Sequence, residues 1–224
     1  MKDITKKIFL FWALTISLCS IFPFLKAQSA LPVSSLTPPI NDSLAVDSVD
    51  KNALLSMDGP YLFRNKKRGK ILRVVPIENA YELVEEKIEI DESTHILCVV
   101  DNKDKDSFTV PLMKQFKIPK STYKQPEKLL SISDIEGNFN AFYGLLVANG
   151  VMDKEYNWTY GKGHLVLNGD FVDRGKNVTP VLWLIYKLEQ EAKKHGGMVH
   201  FILGNHEVLD MTGMTDYVLS LIHI

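Results

Sequence analysis

Apolar and polar positions follow two different periods along this chain, and the change falls near residue 126. Between about Leu54 and Tyr123 the pattern is that of strands. Tyr61-Leu62-Phe63 and Ile71-Leu72-Arg73-Val74-Val75 flank a basic stretch and predict a hairpin. Lys87-Ile88-Glu89-Ile90-Asp91 alternates residue by residue, as a half-buried strand does. His95 to Val100 and Phe108-Thr109-Val110 predict two more short strands. From about Lys128 onward, short apolar runs alternate with helical periods. Leu129-Leu130-Ser131-Ile132-Ser133, His164-Leu165-Val166-Leu167 and Met198 to Leu203 predict three strands. Between the first two lies a helix carrying Phe139, Phe142, Leu145 and Leu146, capped by Asn138 and stopped at Gly150. Between the second and third, a longer helix runs from Pro180, at its first helical position, to about Lys194. That helix is apolar nearly all round at its start, Val181 to Ile185, which predicts burial between layers, with its Trp and Tyr as core residues.

Strand-helix-strand units of this kind build a parallel sheet. The expected fold class is therefore α/β, with residues 126–224 as its α/β part. A small β-rich module at 53–125 precedes it and packs on it or presents something to it.

Composition adds compartment and excludes some partners. The 224 residues are 46% hydrophobic and 24% charged, ordinary for a globular protein, and the net charge of -1 speaks against a nucleic-acid or membrane-surface binder acting by bulk charge. The run Lys66-Lys67-Arg68-Gly69-Lys70 reads as a solvated turn. At the N-terminus, Lys2, Lys6 and Lys7 precede an apolar run from Ile8 to Leu25, followed by Lys26-Ala27-Gln28. This is the order of a secretory signal peptide at 1–27, cut after Ala27, and implies a secreted or periplasmic protein with no stable membrane association after cleavage. The alternative is an uncleaved membrane anchor, since the run is just long enough to span a bilayer. Residues 28–52, rich in Ser, Pro, Leu and Asp without periodicity, read as a flexible linker. After cleavage only Cys98 remains, in the apolar setting of a buried strand thiol, and no internal disulfide can form.

Chemistry concentrates where the three later strands end. They run into Asp134-Ile135-Glu136-Gly137-Asn138, Gly169-Asp170-Phe171-Val172-Asp173-Arg174-Gly175 and Gly204-Asn205-His206-Glu207. If the strands lie side by side and parallel, all three loops open at one sheet edge, where open α/β sheets place their ligands. Asp, Glu and Asn oxygens then converge with one His and one Arg. Oxygen-rich clusters of this kind hold divalent cations, which also relieve the repulsion between close carboxylates. His164, His195 and His200 have no motif around them and read as strand or helix-end residues.

These three motifs resemble those of the calcineurin-like metallophosphoesterases, near the serine/threonine protein phosphatases and the Shewanella-like phosphatases. That branch carries Asp-x-His-Gly, Gly-Asp-x-x-Asp-Arg-Gly and Gly-Asn-His-Glu in this order. The second and third motifs match in full, and the resemblance covers about Leu129 to Asp210. It implies a metallophosphatase-like layered sandwich and a phosphoric monoester hydrolase acting on a phosphorylated protein or small molecule. By the resemblance, Asp134, Glu136 and Asp170 would hold one metal, and Asp170 with Asn205 a second, the two ions activating a hydroxide. Arg174 would clamp the phosphate, with Asn205 and Asn138 as further substrate contacts, although Asn138 is better placed to cap its helix. His206 would protonate the leaving oxygen and Asp173 would orient it.

Glu136 departs from the pattern, standing where the family has His. Its harder oxygen shifts the expected metal from zinc or iron toward manganese or magnesium. The family also needs two further histidine motifs downstream, whereas this sequence stops at Ile224 after an apolar tail from Tyr217 that does not look like a family segment. The expectation is a C-terminally truncated member with a foreign last few residues. The competing reading is an inactive fragment or pseudo-enzyme that acts as a binding protein.

Overall fold

The computed structural model describes residue 56, residues 58–113 and residues 118–219. The expected signal peptide, the linker at 28–52 and the last residues of the tail lie outside them.

Three strands form an antiparallel meander: β1 (Asp58–Asn65), β2 (Arg68–Ile77) and β3 (Ala80–Glu89). The hairpin read from the sequence is β1–β2, with Leu62 opposite Ile71 and both side chains buried. Lys66 and Lys67 make the exposed turn between them. β3 differs from its expectation at 87–91, because it starts at Ala80 and ends at Glu89. Its residues are nearly all exposed, with Leu83 at 61%. Backbone pairing with β2 along the whole strand, from Ala80–Ile77 to Glu89–Arg68, sets its length rather than a buried face. Its run of Glu and Lys is the charge that keeps an exposed edge from pairing with another chain.

β4 (His95–Val99) pairs antiparallel with β5 (Ser107–Pro111), as the short apolar runs predict. Cys98 is fully buried in β4, and burial pushes its thiol pKa up, so it is inert.

The second half is a parallel sheet, β6 (Leu129–Ile132), β7 (His164–Asn168) and β8 (Met198–Ile202), in that order. Helix α1 (Phe139–Ala148) connects β6 to β7, and α2 (Val178–Lys194) connects β7 to β8. Leu129, His164 and Met198 lie side by side at the start of the sheet, so the strands are nearly flush and their far ends share one edge. α2 starts at Val178, two residues before Pro180. Proline is tolerated there because first-turn N–H groups have no helical acceptor. Asn177, just before it, spends its side chain elsewhere: its Oδ1 accepts the Asp101 N–H at 2.9 Å, and its amide donates to Asp101 O at 3.3 Å.

α2 is the joint of the molecule. It touches β8 of the parallel sheet and β1, β4 and β5 of the antiparallel strands. Trp183 and Tyr186 are core residues whose polar ends tie the halves together: Trp183 Nε1 donates to Pro60 O at 2.8 Å, and the Tyr186 hydroxyl accepts the Met113 N–H at 2.8 Å. One hydrophobic cluster runs through both halves, from Leu62, Ile96 and Phe108 to Phe139, Leu167 and Leu184.

Candidate phosphoryl-transfer site

The three polar loops meet. The first two are joined strand-like beyond the sheet edge. Asp134 N donates to Gly169 O (3.2 Å), Glu136 N to Asp170 O (2.9 Å) and Gly137 N to Phe171 O (2.9 Å). The second and third touch backbone to backbone. A Cβ on Gly169 would lie 2.2 Å from Gly204 N, and one on Gly204 would lie 2.2 Å from Asp170 Oδ1. Only two glycines admit that approach, and Gly169 also holds a φ of +84°.

Glu207 is the staple of this junction. Its side chain is 2% exposed, yet both oxygens are used. Oε1 accepts Phe171 N at 2.7 Å and Val172 N at 3.3 Å, while Oε2 accepts Asp170 N at 2.9 Å and Gly204 N at 2.7 Å. A buried carboxylate so enclosed by N–H groups fixes two loops against each other. It also opens helix α3 (Asn205–Met211) by accepting the N–H of the residue before it.

The backbone here is strained. Asp134, Glu136, Asp170, Asp173 and Arg174 all have positive φ, between +47° and +71°. Non-glycine residues occupy that region only where their surroundings impose it, and such positions cluster at functional sites. Cross-loop hydrogen bonds hold Asp134, Glu136 and Asp170 in it, and the Arg174 N–H is tied to Tyr217 O at 3.1 Å.

His206 is buried at the start of α3, 6% exposed. Its Nδ1 lies 2.6 Å from Asp173 Oδ2, and since a carboxylate only accepts, the Nδ1 proton points there. Its Nε2 faces Arg174, 3.4 Å from a guanidinium nitrogen. The bond to Asp173 raises the His206 pKa, with burial opposing and the charges of Asp173 and Asp170 adding to the rise. Asp170 is tied in as well: its Oδ1 accepts the His206 N–H at 3.0 Å.

Arg174 is exposed, and its guanidinium pairs with the Glu136 carboxylate. Glu136, expected as a metal ligand, thus points at the expected phosphate clamp. The side chains of Asp134 and Asn205 are exposed at the loop ends. Asn138 caps α1, with its Oδ1 accepting Ala141 N at 3.2 Å. Among the described residues no group of three or more His, Cys, Asp and Glu side chains is drawn close enough to hold a metal ion. The donor set that fits a hard divalent cation by chemistry is Asp134, Asp170 and the Asn205 amide oxygen, carried on the three adjoining loops.

Sequence reasoning missed two neighbours. Asp210, one turn after His206, has its pKa pushed up to about 6 by burial and by the charges of Asp173 and Glu207. Its Oδ1 and Asp173 Oδ1 are buried without a hydrogen-bond partner among the described residues. Tyr217 covers Arg174 and His206 from the C-terminal segment, and only the fold brings it there.

His164, His195 and His200 fall where expected: His164 opens β7, His200 lies within β8, and His195 caps α2. His164 and His200 face each other, with His200 Nε2 2.9 Å from His164 Nδ1. Burial, followed by the neighbouring imidazole, lowers the His200 pKa.

Residues 127–221 match the calcineurin-like phosphoesterase family, a span that runs past Tyr217. The Shewanella-like protein phosphatase 2 of Arabidopsis thaliana is 32% identical over 104 residues, covering 46% of this chain and 27% of that protein. The Shewanella-like protein phosphatase 1 of Plasmodium berghei is 34% identical over 91 residues, covering 41% of this chain and 25% of that protein. Among solved structures, the cold-active protein-tyrosine phosphatase of a psychrophilic Shewanella species superposes with a TM-score of 0.58 at 31% identity, covering 73% of this chain and 47% of that one. The mixed α/β architecture is therefore that of the metallophosphatases. The chain spans about a quarter of the length of these curated relatives and just under half of the solved structure.

Proposed function

Residues 127–221 are of the calcineurin-like phosphoesterase family, and from that premise we propose that the protein hydrolyses phosphate monoesters with the help of divalent metal ions. The observation that carries this reading is the His206–Asp173 pair beside Arg174, at the edge where the Asp134, Asp170 and Asn205 loops adjoin.

Each residue has a role that its position supports. Arg174 binds phosphate oxygens with its planar fork, and Glu136 holds that fork until phosphate replaces it. The His206 Nε2 faces the Arg174 guanidinium, which can only donate to it; once phosphate draws that guanidinium away, the imidazole protonated at Nε2 donates to the leaving oxygen. Asp173 fixes the other ring nitrogen and keeps the imidazole protonated to higher pH. Asn205 adds a contact at the mouth. Asp134, Asp170 and Asn205 would hold the cation, with Glu136 as a further ligand once released from Arg174. A divalent ion bound there lowers the pKa of water and offsets the charge of the phosphate. The oxygen-only donor set favours manganese or magnesium over zinc and iron. The names of the solved neighbour and the curated relatives favour a phosphorylated protein as substrate, with phosphotyrosine the first candidate. The N-terminal pattern favours export to the periplasm or the medium.

One observation favours a second reading. The Glu136 carboxylate sits on the guanidinium that should clamp phosphate, as expected of a non-catalytic relative that keeps the fold as a binding protein. Hydrolysis of an aryl phosphate separates the two. The chelated protein is resupplied with manganese, magnesium or zinc, beside Asp170→Asn and His206→Ala. The enzyme reading expects wild-type turnover that manganese or magnesium restores and both substitutions abolish. Equal, slow hydrolysis by all three proteins removes the enzyme reading and leaves the binding-protein one.

A further inference from the structure

Tyr217 lies against both groups that would handle the ester. Its ring meets His206 edge to face, at 5.2 Å between centroids and 73° between planes. The Arg174 guanidinium carbon is 5.9 Å from the same centroid. Its backbone oxygen accepts the Arg174 N–H at 3.1 Å, which fixes the segment to the residue it covers. Despite these contacts the residue is 51% exposed. The ring surface left free of Arg174 and His206 lies at the mouth of the site.

We propose that Tyr217 is a specificity-determining residue that selects an aryl leaving group, favouring phosphotyrosine over phosphoserine in the same peptide. The inference rests on the hydrolase reading above. His206 faces the leaving oxygen, and Tyr217 touches His206, so the ring flanks the group attached to that oxygen. An aryl group there gains an offset or edge-to-face contact with the ring. The single methylene carbon of phosphoserine offers no such face. Aromatic pairs of this kind are worth roughly a 2- to 10-fold preference beyond their buried area.

The test compares Tyr217→Leu and Tyr217→Phe with the full-length wild type on two peptides that differ only in phosphotyrosine against phosphoserine. Neither substitution disturbs the backbone contact to Arg174. For Tyr217→Leu, the ratio of kcat/KM between the two peptides is expected to fall roughly 2- to 10-fold, through KM for the phosphotyrosine peptide. Tyr217→Phe keeps the wild-type ratio, since the ring and not the hydroxyl makes the contact. Inhibition gives a second readout: phenylphosphonate should bind the wild type more tightly than methylphosphonate does, and Tyr217→Leu should narrow that gap. A parallel loss for both peptides would mean that Tyr217 merely positions Arg174, and overturns the inference while leaving the hydrolase reading standing. If the wild type hydrolyses neither peptide nor any aryl phosphate, both fail together.

Discussion

The three-stranded antiparallel sheet β1–β3 has strands of 8 to 10 residues, whereas the parallel sheet has strands of 4 and 5. Both use positive φ at non-glycine residues, but for different reasons. In β1–β3 the strained residues are Lys66 and Glu78, each in a two-residue hairpin turn whose twist demands that conformation. In β6–β8 they are Asp134, Glu136, Asp170, Asp173 and Arg174, in loops that never fold back on their own strand. There Asp134, Glu136 and Asp170 are held by neighbouring loops, through cross-loop backbone bonds and the Glu207 carboxylate. Hairpins are thus settled locally, one ladder at a time. The candidate site is a tertiary product, formed only when three strands lie flush, which is why its side chains are aimed so closely at one another.

The sharpest way to break this contrast is at His206. His206→Ala should cut kcat by about 10²- to 10⁴-fold, the usual contribution of a general acid, while the protein stays folded and loses only the roughly 1–3 kcal/mol expected when the buried Asp173 carboxylate loses its partner. Global unfolding of the variant at ambient temperature would place His206 with the structural residues instead. Next comes the joint. Trp183→Ala removes a buried ring and its bond to Pro60 O, and should cost about 3–5 kcal/mol in urea unfolding. Both sheets should loosen together, because α2 joins them. Survival of the parallel half alone would show that the two halves are energetically separate.

Glu207→Gln tests the staple. It replaces a charged acceptor by an amide that can no longer take all four N–H groups, at a cost of about 1–3 kcal/mol. Amide exchange should rise in the second and third loops and stay unchanged in β1–β3. A smaller displacement is expected from Asp173→Asn. His206 titrates above an ordinary imidazole chiefly through its bond to Asp173. In the proposed role of proton donor it is active below its pKa, so activity should fall as pH rises through that value. Without the carboxylate the pKa drops, and the alkaline limb of kcat should move to lower pH. An unmoved limb would remove His206 from the role of acid. Smallest of all is Lys70→Ala, which deletes the exposed 3.1 Å pair with Glu85 on β2–β3 and should change stability by about 0–1 kcal/mol.

Much of this site is legible in the sequence, because each element carries a local signature. Apolar runs mark β6, β7 and β8, and short polar motifs follow them directly, so parallel pairing alone brings the loops to one edge. Asn138 can be read as a cap from its place before Phe139, and the structure uses it so. What stays hidden depends on contacts between distant residues. β3 is illegible because its pairing with β2, not an apolar face, sets its length. The role of Glu207 requires knowing that the 169–172 loop passes over α3. Tyr217 sits in a stretch whose composition looks unlike a site, and only the return of the chain lays it on Arg174. Glu136 shows the limit of analogy: its motif position speaks for a metal ligand, while its partner in the fold is Arg174.

The convergence of three loops on one cation-binding mouth is most directly tested by manganese itself. The ion broadens amide resonances of nearby residues in a nuclear magnetic resonance spectrum, whether or not the protein turns over. Titrated into the protein, it should broaden the amides of residues 134–138, 169–175 and 204–207 together and leave β1–β3 sharp. Broadening confined to the acidic edge of β3, or to one of the three loops alone, would contradict the account.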